Sequence, residues 1–311
     1  MRLVFLGSPP FATPILERLL SSERHELLAL VTPPDRPRGR GRAVVRSTLA
    51  ELADDAGVPV VQPASTKDPA FLETLASIGP EVLMVASYGE ILRRDVLELC
   101  PHGALNVHGS LLPRWRGASP IQRAIAAGDA ETGVSIQRMV LALDAGDVLL
   151  EKRTAIGPAE TAADLFERLS QLGADAAEEA LDLLAGGDAV FTPQDESLVT
   201  LAPKLTKDDG RIDFTLPAAT IARHVRAMTT WPGARTTLPD GRDLVVLEAR
   251  AEQPSGAEAP GTLLDDATLL VRTGDGGAVR LARVKPAGKA AMADDAFQRG
   301  ARVERGTVLG G

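Results

Sequence analysis

Three polar residues in the middle of the chain could together transfer an acyl group without a nucleophilic side chain or a metal. They are Asn106, His108 and Asp144. An amide is a neutral hydrogen-bond donor, an imidazole carries protons near neutral pH, and a carboxylate can orient the imidazole through its charge. We therefore interpret these residues as the candidate catalytic set.

The spacing of the first two residues supports this interpretation. Asn106 and His108 are two residues apart, so on a strand both side chains would point to the same side. An isolated histidine is more often a structural residue, and the Leu-Asp-Ala-Gly-Asp sequence around Asp144 can form a simple Asx turn. The Asn and His at strand spacing, followed by a Gly-Ser-Leu-Leu-Pro turn, nevertheless favour a catalytic role.

Other kinds of site lack their usual residues. His108 and Asp144 have no third metal ligand nearby in the sequence, and Cys100 has a different context, so we predict no metal site. No serine has the G-x-S-x-G surroundings of a serine hydrolase. The turn after the first strand, Gly7-Ser-Pro-Pro, lacks the G-x-G-x-x-G fingerprint, and its prolines remove backbone donors that a dinucleotide would need.

The elements that must position these residues alternate between short apolar strands and amphipathic helices. We predict strands at 2–6, 27–31, 58–61, 82–86 and 103–107, and helices at 11–20, 47–56, 69–78 and 120–127. This alternation indicates an α/β fold with a Rossmann-like, mostly parallel sheet and helices on both faces. Ligands of such sheets bind beyond the carboxyl ends of the strands, where residues 87–89 and 106–108 would lie.

The pattern changes near residue 205. A helix is predicted at 161–185, and residues 192–207 show no clear periodicity. Short strands at 245–249, 268–272 and 278–284 then follow, separated by Pro and Gly, and they suggest a small β-barrel. We predict a catalytic domain at 1–188, a linker at 189–204 and a β-barrel domain at 205–311.

Composition bounds the class of protein. The 311 residues are 44% hydrophobic and 24% charged, which is ordinary for a globular protein. No apolar run reaches the roughly 18 residues that cross a bilayer, and the short apolar start predicts a buried strand rather than a signal peptide. With one cysteine no internal disulfide can form, so a cytoplasmic location is the default expectation.

The net charge of −8 argues at first against a nucleic-acid partner, but basic residues are concentrated in two patches. One is an arginine-rich loop at 36–46, and the other lies at 280–305, with seven basic residues against three acidic ones. Such patches suit a polyanion held at defined places, although two solvated surfaces would show the same charges.

The segment Asn106-Val-His-Gly-Ser-Leu-Leu-Pro-Arg-Trp-Arg-Gly-Ala-Ser-Pro-Ile-Gln122, with Asp144 downstream, resembles the 10-formyltetrahydrofolate-dependent formyltransferases. The similarity runs along the whole chain, and further motifs at 32–41, 128–133, 204–207 and 285–292 match the members that act on initiator tRNA. The departures are small: Ser8 and Pro10 stand where the family usually has Thr and Asp, and Ser87 where Ala is common.

The resemblance implies formyl transfer from 10-formyltetrahydrofolate to the α-amine of initiator methionyl-tRNA for translation initiation, by direct amine attack through a tetrahedral intermediate. The catalytic residues would be Asn106, His108 and Asp144. Folate contacts would come from Ser110, Leu111, Leu112, Pro113, Ser87, Tyr88 and Gly89. Contacts with tRNA would come from Arg36, Arg38, Arg40, Arg42, Lys204, Lys207, Lys285 and Lys289. The second domain would be the family's OB-like β-barrel, and the chain a monomer without a metal or a membrane anchor.

Two alternatives stay open. One is a relative that uses the same donor on a nucleotide-sugar amine or on glycinamide ribonucleotide, and the second domain disfavours the glycinamide enzymes, which have a single domain. The features that discriminate this chain from the nucleotide-sugar enzymes are the arginines at 36–42 and Arg114-Trp-Arg116. The other alternative is a non-catalytic RNA-binding relative, which the intact Asn106, His108 and Asp144 set disfavours.

Overall fold

The computed structural model describes residues 1–38, 43–254 and 256–310. The chain divides into two compact units. The first comprises Met1–Pro120, Glu131–Thr154 and Phe166–Ala202, and the second comprises Ile121–Ala130, Ala155–Leu165 and Pro203–Gly311. Residues 189–202 thus group with the first unit, although the sequence predicts a linker at 189–204. The domain limits at 188 and 205 themselves stay a prediction.

The elements before the second unit's main sheet are, in chain order, β1 (Arg2–Gly7), α1 (Thr13–Leu20), β2 (Glu26–Val31), β3 (Arg36–Arg38), β4 (Ala43–Val45), α2 (Thr48–Asp55), β5 (Val60–Val61), α3 (Pro69–Ile78), β6 (Val82–Ala86), α4 (Arg94–Leu97), β7 (Ala104–His108), α5 (Pro120–Ala127), β8 (Glu131–Arg138), β9 (Val148–Ala155) and α6 (Ala162–Gly186). After two short 3-10 turns, at Glu196–Leu198 and Asp208–Gly210, the chain continues with α7 (Ala218–Ala227), β10 (Ala234–Thr237), β11 (Asp243–Glu252), β12 (Leu270–Arg272), β13 (Ala278–Pro286), β14 (Met292–Ala293) and α8 (Asp294–Ala301).

The first unit contains a seven-stranded sheet in the order β5-β2-β1-β6-β7-β8-β9. The pairs from β5 to β7 are parallel, whereas β7 and β8 are antiparallel. The central strands β1 and β6 are apolar and almost wholly buried, as expected for strands covered on both faces. The predicted α/β class with a mostly parallel sheet is therefore confirmed.

The second unit contains a curled antiparallel sheet in the order β10-β11-β13-β12, with β14 paired to β13. The three strands predicted from the sequence in this region fall on β11, β12 and β13. Leu244, Val246, Val279, Leu281 and Val284 from β11 and β13 are buried, so alternate residues of the sheet form the core of this unit. The predicted β-rich second domain is confirmed.

Residues 131–155 received no assignment from the sequence, yet they form β8 and β9. The alternation of strands with helices predicts a mostly parallel sheet but does not identify its antiparallel strand: β8 pairs antiparallel with β7, and no helix separates it from β9. This difference matters because β8 supplies one of the side chains around Asp144.

No helix in the part of the chain that the structure describes is long and apolar enough to cross a membrane.

Candidate active site

β7 brings Asn106 and His108 to the carboxyl end of its parallel pairing with β6. On the other side of β7, Asn106 lies opposite Gln137 and His108 opposite Ser135, both from β8. The Asn106 side chain is half-buried and makes no hydrogen bond with any described residue. The donor role that the sequence predicts for this amide stays a prediction.

His108 is buried and lies between two acceptor oxygens. Its Nε2 is 3.0 Å from the carbonyl oxygen of Trp115, and its Nδ1 is 3.7 Å from Oδ2 of Asp144. A carbonyl oxygen can only accept, so Nε2 carries a proton in this arrangement. The distance to Asp144 is too long for a hydrogen bond, and the two side chains attract each other by charge only while the imidazole is protonated.

The carboxylate of Asp144 is held by one donor on each oxygen. The backbone N–H of Gly117 donates to Oδ2 at 2.9 Å, and Nε2 of Gln137 donates to Oδ1 at 2.9 Å. Asp144 itself has a φ of 48°, in the left-handed region that Asp tolerates better than most residues. A Cβ added at Gly146 would lie 1.7 Å from the carbonyl oxygen of Arg138, so the turn requires glycine there.

The predicted folate segment 110–113 forms a turn that is stabilised by hydrogen bonds with Arg114 and Ser135. The Ser110 hydroxyl donates to the carbonyl oxygen of Arg114 at 2.6 Å. The Ser135 hydroxyl donates to the carbonyl oxygen of Ser110 at 2.8 Å and accepts from the N–H of Leu112 at 3.0 Å. Because the Ser110 hydroxyl is fully buried and engaged, it supports the shape of the turn.

The other predicted folate segment, Ser87-Tyr88-Gly89, follows β6 directly. Ser87 and Gly89 are exposed and have φ values of 49° and 86°, so the backbone turns sharply at the sheet edge. Tyr88 is buried, and desolvation is the main cause that raises the pKa of its phenol. The negative charge of Glu90 raises this pKa further. A phenol in such a place stays neutral and acts as core material.

Apolar side chains next to these segments are unusually exposed. Ile91 is 80% exposed, Leu141 56% and Leu143 68%, although all three are large aliphatic residues. A cavity of about 340 Å³ is lined by Tyr88 and Gly89 of the second segment and by residues 32–35. A volume of this order can hold a small ligand, and this cavity contains two of the residues for which the sequence predicts folate contacts.

The predicted tRNA contacts are only partly described. Lys204, Lys207, Lys285 and Lys289 all belong to the second unit, are exposed, and form no ion pair with the described residues. Arg40 and Arg42 lie outside the described residues, and of Arg36 and Arg38 only the backbone in β3 is described.

The base of the arginine-rich loop is tied together by Asp35. Its Oδ1 accepts from the N–H of Ser47 at 3.0 Å and from Nε2 of Gln62 at 3.0 Å, and Arg46 lies 3.3 Å from its Oδ2. The bond from Gln62 above all lowers the pKa of Asp35. Because Arg46 also pairs with Asp54, it is not a free cation of the predicted basic patch.

Gln137, Gly117 and Trp115 contact the catalytic set, but the sequence does not predict them. Gln137 lies on a strand that the sequence reasoning missed, and the other two contribute backbone atoms, which no residue pattern reveals.

Among residues 1–38, 43–254 and 256–310, no three His, Cys, Asp or Glu side chains cluster closely enough to hold a metal ion.

The structure thus combines an α/β unit, which carries an amide, an imidazole and a carboxylate at the carboxyl end of its parallel strands, with an antiparallel β unit. The family model for formyl transferase matches residues 1–181, and the model for the formyl transferase C-terminal domain matches residues 204–302.

Curated relatives cover nearly the whole chain. Methionyl-tRNA formyltransferase of Methylobacterium sp. (strain 4-46) is 46% identical over 312 residues, which cover 99% of each chain. The enzyme of the same name from Anaeromyxobacter dehalogenans (strain 2CP-1 / ATCC BAA-258) is 45% identical over 309 residues, which cover 98% of each chain. The chain therefore belongs to the formyltransferase family, and within it to the methionyl-tRNA formyltransferases.

Solved structures share the fold at low sequence identity. An N-formyltransferase from Helicobacter canadensis, in complex with folinic acid and dTDP-3-aminofucose, aligns with a TM-score of 0.69 and 15% identity, over 89% of this chain and 97% of that one. Glycinamide ribonucleotide transformylase 1 from Symbiobacterium toebii aligns with a TM-score of 0.53 and 23% identity, over 63% of this chain and 94% of that one. The second comparison leaves a third of this chain unmatched, as expected for a chain with an additional domain.

Proposed function

We propose that this enzyme transfers the formyl group of 10-formyltetrahydrofolate to the α-amine of initiator methionyl-tRNA, for translation initiation. One observation carries the proposal: Asn106 and His108 lie at the carboxyl end of β7 with Asp144 beside His108, in a chain whose curated relatives are methionyl-tRNA formyltransferases. We also propose that it works as a monomer in the cytoplasm.

The nucleophile needs little activation by the protein. An α-amine titrates near pH 8, so a useful fraction is neutral at pH 7. When bound, 10-formyltetrahydrofolate supplies a formyl carbon that this amine can attack directly. The residues of the chain then have two tasks, which are to stabilise the oxygen that gains negative charge and to move a proton from the attacking amine to the departing nitrogen.

Asn106 and His108 would stabilise the developing negative charge. The Asn106 amide has no competing acceptor among the described residues, so it can donate without first losing a bond. His108 must exchange the Trp115 carbonyl oxygen for the substrate oxygen, because the same N–H serves both. Donors in such positions contribute on the order of 3–4 kcal/mol each to transition-state stabilisation.

Asp144 would hold His108 in its donating state and help it relay the proton. Its negative charge lies 3.7 Å from Nδ1, and both carboxylate oxygens are fixed by donors. With that charge fixed in advance, an imidazolium that forms during transfer is stabilised without rearrangement of the site.

The two substrates would use different parts of the chain. The folate would bind beside segments 87–89 and 110–113, where Tyr88 and Gly89 line a cavity of about 340 Å³. The arginine-rich loop and the exposed Lys204, Lys207, Lys285 and Lys289 would bind tRNA phosphates.

The test is formyl transfer by the purified enzyme with radiolabelled 10-formyltetrahydrofolate. We expect transfer to initiator methionyl-tRNA. Transfer should be much lower when the same tRNA carries another amino acid, or when the two bases at its first base-pair position are paired. Transfer to a dTDP-amino sugar in preference to methionyl-tRNA would instead support the nucleotide-sugar alternative. Binding of tRNA without any formyl transfer would support the non-catalytic alternative.

A further inference from the structure

The turn that carries Asp144 is held by a glutamine from the stretch that the sequence predicts to be a linker. Nε2 of Gln194 donates to the carbonyl oxygen of Asp144 at 2.8 Å and to that of Gly146 at 2.7 Å. The same nitrogen lies 3.4 Å from Oε1 of Gln137, the residue that bonds the Asp144 carboxylate. One amide group therefore fixes the backbone of the turn on both sides of Ala145.

Arg116 determines which end of the Gln194 amide faces the turn. Its Nε and Nη2 both donate to Oε1 of Gln194, at 3.0 and 2.8 Å. A guanidinium can only donate, so the amide oxygen must face Arg116 and the amide nitrogen must face the turn. The Arg116 side chain is only 8% exposed, so water screens this contact little.

Asp144 depends on such support because of its backbone conformation. Its φ of 48° is one that residues other than glycine adopt rarely, and it aims the carboxylate at His108 Nδ1. Without the two bonds from Gln194, the turn could relax toward a more common conformation. The carboxylate would then move relative to the imidazole.

We propose that Gln194, oriented by Arg116, is a positioning residue that keeps the Asp144 carboxylate beside His108 during formyl transfer. The proposal rests on the proposed function, since it assigns Gln194 an effect on the rate of that reaction. Gln194 acts through Asp144 and needs no contact with either substrate. Its loss is therefore expected in kcat and not in KM.

Gln194→Glu removes both hydrogen bonds to the turn while it keeps the contact with Arg116. Glutamate has the same length and keeps an oxygen for Arg116, in a bond that is now charge-assisted, but it lacks both hydrogens that bind the turn. We expect kcat to fall about 10- to 100-fold, because small displacements of catalytic groups cost this much. The KM values for both substrates should stay within about twofold, whereas the urea midpoint should fall, because two carbonyl oxygens lose their donor and face a carboxylate oxygen.

Two further variants sharpen the test. Gln194→Met removes the donor and the acceptor together, so it should lower kcat similarly and also lower the urea midpoint. Asp195→Asn is the matched control, because it makes the reverse change between acid and amide at the adjacent exposed residue and should leave kcat unchanged.

A double variant tests whether Gln194 acts through Asp144. If it does, Gln194→Glu combined with Asp144→Asn should be no slower than Asp144→Asn alone, because the effects of coupled residues do not add. An unchanged kcat in Gln194→Glu, or a loss that adds fully to that of Asp144→Asn, would overturn the proposal.

Hydrogen exchange gives a readout that does not depend on activity. The amide of Gly117 is bonded to Asp144 Oδ2 and should exchange faster in Gln194→Glu. Unchanged exchange at Gly117 would refute the role of Gln194. If the wild-type enzyme formylates no methionyl-tRNA, the proposed function fails, whereas the exchange measurement still decides whether Gln194 holds the turn.

Discussion

Replacing Asp144 with asparagine tests the mechanism most directly. Both carboxylate oxygens accept a hydrogen bond, from Gln137 and from Gly117, so an amide nitrogen in either position would face a donor. One of these bonds must therefore be lost or rearranged, at a cost of roughly 1–3 kcal/mol in stability for a buried unsatisfied group. The negative charge beside His108 disappears as well.

The loss of that charge can be converted into a rate. At 3.7 Å, two unit charges interact by on the order of 4 kcal/mol at an effective dielectric constant of about 20. If the imidazolium forms in the transition state, kcat should fall by up to about a thousandfold. Folate affinity should change little, because Asp144 acts on His108 rather than on the donor's ring system.

Single-turnover formyl transfer measures kcat, and equilibrium binding of tetrahydrofolate measures folate affinity. Asp147→Asn is the matched control, since it changes the other carboxylate of the same turn, whose side chain makes no hydrogen bond or ion pair with the described residues. We expect Asp147→Asn to retain kcat. A near-wild-type kcat in Asp144→Asn would refute the role assigned to Asp144.

Three further changes test other parts of the structure. Arg40→Ala should raise KM for tRNA without altering folate affinity, because the loop would bind phosphates; an unchanged KM would show that the loop is a solvated linker. Gly146→Ala should destabilise the protein by about 1–3 kcal/mol in urea unfolding, since its Cβ would meet the Arg138 carbonyl; an unchanged midpoint would contradict this. Asp209 accepts bonds from the Thr206 N–H and hydroxyl and pairs with Arg123, and these contacts, led by the Thr206 backbone bond, lower its pKa to about 2. A folded-state pKa below the unfolded value near 3.8 stabilises the fold at pH values above 3.8. This stabilisation is lost as the pH falls toward 2. Asp209→Asn should therefore lower the free energy of unfolding at pH 7 and have little effect near pH 2, and an equal loss at both would contradict the assignment.

The sequence determined the elements that repeat a simple pattern. Strands β1, β2 and β6 consist of apolar runs, at residues 3–6, 27–31 and 82–86, and such runs predict buried strands by themselves. The spacing of Asn106 and His108 likewise predicts two side chains on one side of a strand. The resemblance added their pairing with Asp144 and the identities of both substrates.

The antiparallel strand β8 was not predictable in the same way. Its pairing partner is fixed by contacts across the sheet, and a pattern of alternating strands and helices carries no information about a strand that breaks the alternation. Gln137 and its bond to Asp144 were therefore missed with it.

Only the tertiary structure decided how Asp144 is held. Its partners are the Gly117 N–H, the Gln137 amide and, through the backbone of the turn, Gln194, which is 50 residues away in sequence. A sequence reveals residue types and local periodicity, so it showed that an amide, an imidazole and a carboxylate were present. It does not reveal distances between remote segments, because those follow from packing. That packing sets the 3.7 Å between His108 Nδ1 and Asp144 Oδ2 and places Gln194, from a stretch with no periodicity, against the turn that carries Asp144.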